Sequence, residues 1–288
     1  MQSNNPVFRN SDGFSKPGYN AYGNATYAGN GAAHSGYGNP STWSVGQPGS
    51  STTGLRPTRT SGGPMTVDTV VQRTGLTLAV VIVAAVVTWL MTPSITTDET
   101  LSAVYGVAMI GSLGAFVLSM VNSFKRVISP ALVLAFAALE GVAMGAISKA
   151  FDAQFGSGVV TGAVIGTFAA FAGTLAAYKF FDIKVGQKFR TFVTAAVLGM
   201  VGLSVMELVL GMFGNSFGLF GVSGLGMLTA VAGLALGVFM LVMDFDFVEQ
   251  GVRNGLDERE SWRAAFALTV SLVWIYTNLL RILAYFRD

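Results

Sequence analysis

The stretch LVMDFDFVEQGVRNG, residues 241–255, places three acids close together at the end of a long apolar run. These acids are Asp244, Asp246 and Glu249, and no basic residue follows them until Arg253. A carboxylate at the carboxyl end of a helix lies against the negative end of the helix dipole, which disfavours its ionised form. Carboxylates in such a setting are candidates to bind a cation or to change charge with pH.

The three acids are expected to point in different directions. At about 100° per residue, Asp244 and Asp246 lie about 200° apart, whereas Asp246 and Glu249 lie about 60° apart. We therefore expect Asp246 and Glu249 to form one solvated edge and Asp244 to face a helix bundle. Buried there, Asp244 would be a proton-sensitive gate or a cation site. The alternative, a helix-end residue wetted by headgroup water, is equally open.

The composition indicates a membrane protein and argues against an enzyme. The 288 residues are 52% hydrophobic and 11% charged, with a mean hydropathy of +0.58, which is too apolar for a soluble domain. Cysteine is absent and the single histidine, His34, lies in a polar stretch. Thiolate metal sites and histidine-based catalysis therefore have almost no candidate residues. We expect no enzymatic activity, no cofactor and no nucleic-acid partner.

Seven apolar runs predict an all-α, polytopic membrane protein. Each is long enough to cross about 30 Å of hydrocarbon at about 1.5 Å per residue. The runs are residues 75–91, 101–121, 129–149, 158–178, 191–212, 226–248 and 263–284. Glycines four residues apart, such as Gly141 with Gly145 and Gly233 with Gly237, predict close helix packing. Residues 65–288 are thus expected to form a seven-helix transmembrane bundle.

Residues 1–64 have a different composition. They repeat Gly, Asn and Tyr, and no charged residue occurs from Pro17 to Leu55. Such a segment buries too little apolar surface to offset its ordering entropy. The sequence therefore predicts a disordered amino-terminal tail.

The distribution of Lys and Arg predicts the orientation. With the tail in the cytoplasm, the cytoplasmic loops and their borders collect Lys125, Arg126, Lys179, Lys184, Lys188, Arg190, Arg253, Arg259 and Arg263. The opposite side keeps Lys149 and Arg287, with Arg281 at its boundary, where its long stem is expected to reach the headgroups. The positive-inside rule then places the amino terminus in the cytoplasm and the carboxyl terminus outside a plasma membrane.

Two further acids lie inside the predicted spans. Glu140 lies about eleven residues into the third span, and Glu207 lies in the outer third of the fifth. Because a charge in hydrocarbon is costly, acids at this depth often serve a function. Glu140 is therefore a candidate ion-pathway residue.

Four motifs give the chain a family resemblance. They are ALEGVAMGAIS (138–148), IKVGQKFRTFV (183–193), MDFDFVEQGV (243–252) and LVWIYTNLLRILAYF (272–286). With these motifs the chain resembles the Bax inhibitor family, also called the transmembrane Bax inhibitor motif or YccA-like family. The start NPVFRN (5–10) and the Gly/Tyr-rich tail are similar to those of an actinobacterial branch.

The resemblance implies a compact seven-helix bundle with a central sixth helix. It also implies a pH-sensitive calcium leak, because bacterial relatives act as such leak channels. The gate of these relatives is linked to two aspartates. The first of these falls on Asp244 and the second on Ser271, which could hydrogen-bond a protonated Asp244. Some members of the branch carry a glutamate at the position of Asn278, and Glu140 falls in a Glu-Gly motif of the family.

The leading hypothesis is therefore a cation leak, with calcium the favoured ion, gated by Asp244 and Ser271. Glu140, Asp246 and Asn278 are the candidate pathway residues. Calcium prefers hard oxygen ligands, and Asp244 with a serine would make only a weak calcium site. The alternative is a membrane regulator that transports nothing and binds a membrane-anchored protease or another membrane partner.

Overall fold

The computed structural model describes residues 63–221 and 223–287, together with the backbone of two short strands nearer the amino terminus. Strands β1 (Pro17–Tyr19) and β2 (Ala25–Tyr27) pair antiparallel. The chain divides into two units, residues 1–57 and 58–288. The predicted disorder of residues 1–64 falls almost wholly outside the described residues. The β1–β2 pairing was not expected from the composition, although the Tyr and Thr residues of these strands favour extended backbone.

From residue 63 onward the described chain is a bundle of seven α-helices. Each is long and apolar enough to cross a membrane. The helices are α1 (Val67–Met91), α2 (Asp98–Phe124), α3 (Pro130–Phe155), α4 (Val159–Phe180), α5 (Gln187–Met212), α6 (Gly224–Arg253) and α7 (Glu260–Tyr285). The prediction of an all-α, seven-helix polytopic membrane protein is confirmed.

The helices extend beyond the predicted apolar runs. Helix α1 begins eight residues before its run, at Val67, because Thr66 forms a capping box there. The Thr66 hydroxyl accepts from the backbone N–H of Thr69 at 3.2 Å, and the Thr69 hydroxyl accepts from the N–H of Thr66 at 3.1 Å. Hydropathy marks the part of a helix that crosses hydrocarbon, whereas capping residues set where the helix begins.

Helix α7 packs against α1, α3, α4 and α6. Helix α2 packs on α3, and α5 packs mainly on α6. The apolar stretches of α3 and α7 are more fully buried than that of α6, so the expectation of a central sixth helix is wrong. Small buried residues on α7, such as Ala264, Ala265, Ser271 and Ala284, let neighbouring helices approach it from several sides.

The paired glycines lie at close helix contacts, as predicted. Gly141 and Gly145 of α3 lie against the α1 backbone at Val81 and Ala85. Gly233 and Gly237 of α6 lie against Asn278 and Ile275 of α7. Removing the side chain at these points lets the two backbones approach. The second contact brings together the helices that carry the candidate site.

The segment just before α1 pairs with the α6–α7 loop. The N–H of Met65 donates to the carbonyl of Leu256 at 2.7 Å, and the N–H of Glu258 donates to the carbonyl of Gly63 at 3.0 Å. Met65 is buried beneath this contact. The contacts of the bundle therefore include Gly63 and Pro64, two residues before the predicted boundary.

Candidate functional site

Polar side chains follow the contact between α6 and α7 along much of its length. Ser271 and Asn278 of α7 are seven residues apart, so they lie on nearly the same helix face. Asp244 of α6 lies beside Ser271, and Arg281 of α7 reaches Thr229 of α6. We call the line formed by these five residues the α6–α7 seam. It runs from the Asp244 end of the bundle to the opposite end.

Asp244 and Ser271 are directly bonded. The Ser271 hydroxyl donates to the Oδ2 atom of Asp244 at 2.6 Å, and Ser271 is fully buried. The hydrogen bond expected between these two residues is confirmed. Within the described part of the chain, the Asp244 carboxylate accepts no other hydrogen bond and forms no ion pair.

Asp246 is enclosed, so the prediction that it lies on a solvated edge is wrong. The residue is 7% exposed. Its carboxylate forms an ion pair with Arg190 of α5 and accepts a hydrogen bond of 2.8 Å from Gln250. The first turn of α5, which carries Arg190, covers the side of α6 that the prediction assigned to water.

Glu249 remains exposed, as expected. It accepts a hydrogen bond of 2.6 Å from the Tyr178 hydroxyl of α4 and forms an ion pair with Arg253. Helix α6 ends at Arg253, nine residues beyond Asp244. Because the dipole effect is confined to the last turn, the helix-end argument does not apply to Asp244. It applies to Glu249, which Arg253 compensates.

The opposite end of the seam is closed by Arg281. Its guanidinium donates to the carbonyls of Leu219 at 2.9 Å and Gly226 at 2.8 Å, and to the Thr229 hydroxyl at 2.7 Å. The expectation that Arg281 reaches to the headgroups is wrong, because it bonds inward to the Leu219 carbonyl of the α5–α6 loop and to Gly226 and Thr229 of α6. A fixed positive charge therefore lies at this end of the seam.

Asn278 is the next polar residue inward from Arg281. It is 5% exposed and donates to the carbonyl of Trp274 at 2.7 Å. Its Oδ1 atom accepts from Arg281 at 3.3 Å. The structure thus places Asn278 in the seam with Ser271, but with its amide already bonded.

Glu207 has a role that the sequence reasoning missed. Its carboxylate accepts the backbone N–H groups of Phe217, Gly218 and Leu219 at 3.2, 2.7 and 3.1 Å. The loop is thereby held between Glu207 and Arg281. The available signal was an acid near the end of a span, followed by a glycine-rich loop whose amides can turn inward.

Glu140 belongs to α3, which packs against α7, whereas α6 packs mainly against α1, α4, α5 and α7. No group among the described residues donates a hydrogen bond to its carboxylate. Glu140 therefore has no hydrogen bond to Asp244 or Ser271, and its place in an ion pathway stays a prediction.

The described residues of the seam do not form a cluster of metal-binding side chains. In residues 63–221 and 223–287, no group of three or more His, Cys, Asp or Glu side chains is placed to hold a metal ion. Calcium takes six to eight oxygen ligands. Asp244 and Ser271 could supply only a few of these, with carbonyls and water providing the others.

The family model described as Bax inhibitor 1 like matches residues 5–288. This match covers essentially the whole chain, so the protein belongs to the Bax inhibitor 1-like family, and the resemblance noted from the motifs is confirmed. No curated protein matches the chain. Together with the seven apolar helices, the match establishes a multi-pass membrane protein whose helices contact the lipid bilayer.

Proposed function

We propose that this Bax inhibitor 1-like membrane protein is a pH-sensitive cation leak pathway and that Asp244 is its titrating group. One observation carries the proposal. Of the three acids near the end of α6, Asp244 alone has no cationic partner within the described chain, whereas Asp246 pairs with Arg190 and Glu249 with Arg253. An uncompensated carboxylate in a membrane span is the group whose charge responds most readily to protons or to a cation.

Three polar side chains on the helices next to α6 are bound to residues other than Asp244. On α5, Arg190 binds Asp246. On α4, Tyr178 binds Glu249. On α1, Arg73 pairs with Glu258 at 3.1 Å and stacks on Trp262. The partner that Asp244 does bind is Ser271 of α7.

The chemistry of the pair suggests how the pathway responds to pH. When Asp244 is protonated, it remains a hydrogen-bond partner of Ser271 but carries no charge to attract a cation. When Asp244 is ionised, it offers one negative charge to a cation entering the seam. We therefore expect the leak to rise as pH rises through the titration of Asp244. This response involves no covalent chemistry.

Calcium is the cation we favour. The Asp244 carboxylate, the Ser271 hydroxyl and nearby carbonyls are hard oxygen donors of the kind that calcium prefers. A site with a single carboxylate binds weakly, which suits passage better than storage. Arg281, at the other end of the seam, opposes cation passage until the α5–α6 loop moves.

We further propose a plasma-membrane location with the Asp244 end of the bundle in the cytoplasm. The loops at that end carry the excess of Lys and Arg, which favours the cytoplasmic side. Some of these residues also tie loops together. Arg259 donates to the carbonyl of Ile128, and Arg263 donates to the carbonyl of Arg126, both at 3.0 Å.

Calcium flux into dye-loaded proteoliposomes containing the full chain tests the function across a pH series. The parent should show a flux that rises with pH, and Asp244→Asn should flatten the response. Asp246→Asn should keep it, because that residue already has a cationic partner. An unchanged pH response in Asp244→Asn would remove the residue from the role.

Absence of flux at every pH, with the protein folded, would end the leak proposal. That outcome would favour the non-transporting regulator that binds a membrane protease or another membrane partner.

A further inference from the structure

A cavity of about 530 Å³ lies between α1 and α4, away from the α6–α7 seam. Both helices pack against α7, but they do not pair closely with each other. The gap between them is floored by α3 and α7, through residues such as Met144, Gly145, Leu272 and Val273. The cavity thus forms because α1 and α4 both pack against α7 but not closely against each other.

The dimensions of the cavity match one leaflet of a bilayer. Along α1 it extends from Leu78 to Leu90, a distance of about 18 Å at ~1.5 Å per residue. Half of the hydrocarbon thickness of a bilayer is about 15 Å. The walls are mainly aliphatic and aromatic side chains, so the space is suited to one extended hydrocarbon chain.

The cavity faces lipid between α1 and α4. Ile82 and Val86 of α1 and Phe168 of α4 line it, and each is about half exposed, at 50%, 51% and 52%. In a membrane these side chains border the acyl region. An occupant can therefore enter sideways from the bilayer without crossing the bundle.

The polar groups on the cavity floor satisfy each other. The Ser148 and Tyr276 hydroxyls are 2.6 Å apart and hydrogen-bonded, and Ser148 also donates to a carbonyl of its own helix. An apolar chain can cover such a pair without leaving a hydrogen bond unmade. The floor therefore does not require a polar ligand.

Two cations lie next to residues that line the cavity, on the side opposite Asp244. Lys149 lies 4.9 Å over the ring of Trp89, and Arg287 donates to the carbonyl of Ser157 at 2.8 Å. Trp89 and Ser157 both line the cavity. Asp152 also lines the cavity, so one acid lies at the same rim as these two cations.

Helix α4 begins at the same rim. Its N-cap residue, Gly158, lines the cavity and provides no side-chain cap. The first amides of α4 therefore add to the positive potential there. An anionic group at the rim would complement both this helix end and the two cations.

We infer that this cavity binds one acyl chain of an anionic phospholipid, with the lipid phosphate at the Lys149 and Arg287 rim. The occupant comes from the surrounding bilayer. The site is separate from the seam and does not depend on the proposed leak.

Native mass spectrometry of the full chain, extracted in mild detergent from mixed phosphatidylglycerol and phosphatidylcholine vesicles, tests the inference. The parent should retain one phosphatidylglycerol molecule. Val164→Trp and Val86→Trp, which fill the cavity from α4 and α1, should lose it. Ile110→Trp is the matched control, because Ile110 is 73% exposed on α2 and does not line the cavity.

Lys149→Gln and Arg287→Gln test the rim. Each should weaken the preference for phosphatidylglycerol over phosphatidylcholine by roughly fivefold, as expected for a cation near a membrane surface. Thermal midpoints identify any variant that fails to fold. The inference is overturned if the parent retains no lipid, if both cavity-filling variants keep it, or if the rim variants leave the preference unchanged.

Discussion

Arg190, in the first turn of α5, forms an ion pair with Asp246 of α6. Next to it the Phe189 and Phe239 rings meet edge to face at 5.6 Å. Because α5 packs mainly on α6, this pair is the main polar link between the two helices at the Asp244 end of the bundle. It also neutralises the acid closest in sequence to Asp244.

Breaking this pair should destabilise the bundle without removing the pH response. We expect Asp246→Asn or Arg190→Gln to cost about 1–3 kcal/mol, less than a fully buried pair, because the Arg190 side chain is 38% exposed. The double variant should cost less than the sum of the two. Denaturation of the reconstituted protein in a double-mutant cycle measures the coupling.

Arg253→Gln serves as the control for that cycle. Its pair with Glu249 is at least half exposed and lies within one helix, so a cost below about 0.5 kcal/mol is expected. Additive costs for Asp246 and Arg190 would show that the two residues act independently.

Reporter fusions test the proposed orientation. Fusions at Asn122, Gln187 and Asn254 should report the cytoplasm, because these positions border the loops rich in Lys and Arg. Fusions at Thr97 and Asn215 should report the outside. A reversed signal at two or more of these sites would contradict the proposed topology.

The membrane fold could be predicted from the sequence because each span carries its own signal. An apolar run of about twenty residues is sufficient to indicate a spanning helix, whatever its neighbours are. The residues at which the helices begin and end were harder to predict, since they depend on capping residues such as Thr66. The central position predicted for α6 was also wrong, because the packing of helices around α7 depends on long-range contacts.

The candidate site shows the same division between local and long-range information. The sequence of α6 alone was sufficient to identify Asp244 as a candidate residue. Ser271 was paired with Asp244 through the family resemblance and the depth of Ser271 in its span. Asp246 was misplaced because a helical projection gives angles but does not show that Arg190 lies there. Arg281 was misplaced, and no role was predicted for Glu207, because both bind the α5–α6 loop, whose path no local pattern reveals.

The contact of Gly141 with α1 gives a sharp stability prediction. A Cβ atom at Gly141 would lie 2.6 Å from the Cβ of Ala84, beside the carbonyl of Val81. Because backbone atoms cannot easily move aside, Gly141→Ala should cost about 1–3 kcal/mol. At Gly199 of α5 nothing lies within 4 Å, so Gly199→Ala should be neutral or gain up to ~1 kcal/mol. Equal midpoints for both variants in thermal denaturation would contradict the close approach of α1 and α3.

Arg281 gives the last prediction, which concerns closure of the seam. Its guanidinium holds the α5–α6 loop through the carbonyl of Leu219, and it binds the Gly226 carbonyl and the Thr229 hydroxyl in the first turns of α6. A hydrogen bond to a charged group contributes about 1.5–3 kcal/mol. Losing one such bond is therefore enough to raise the population of molecules with an open α5–α6 loop roughly tenfold. Arg281→Gln should therefore increase basal cation leak in proteoliposomes.

Arg281→Lys separates charge from geometry, because lysine keeps the positive charge but lacks the planar fork that reaches several acceptors. We expect an intermediate leak, since the charge still opposes cations while the loop loses contacts. Arg253→Gln is the control, because Arg253 is largely exposed at the other end of the bundle, and its leak should equal that of the parent. If both Arg281 variants fold and leak no more than the parent, the cation path does not pass this end of the seam.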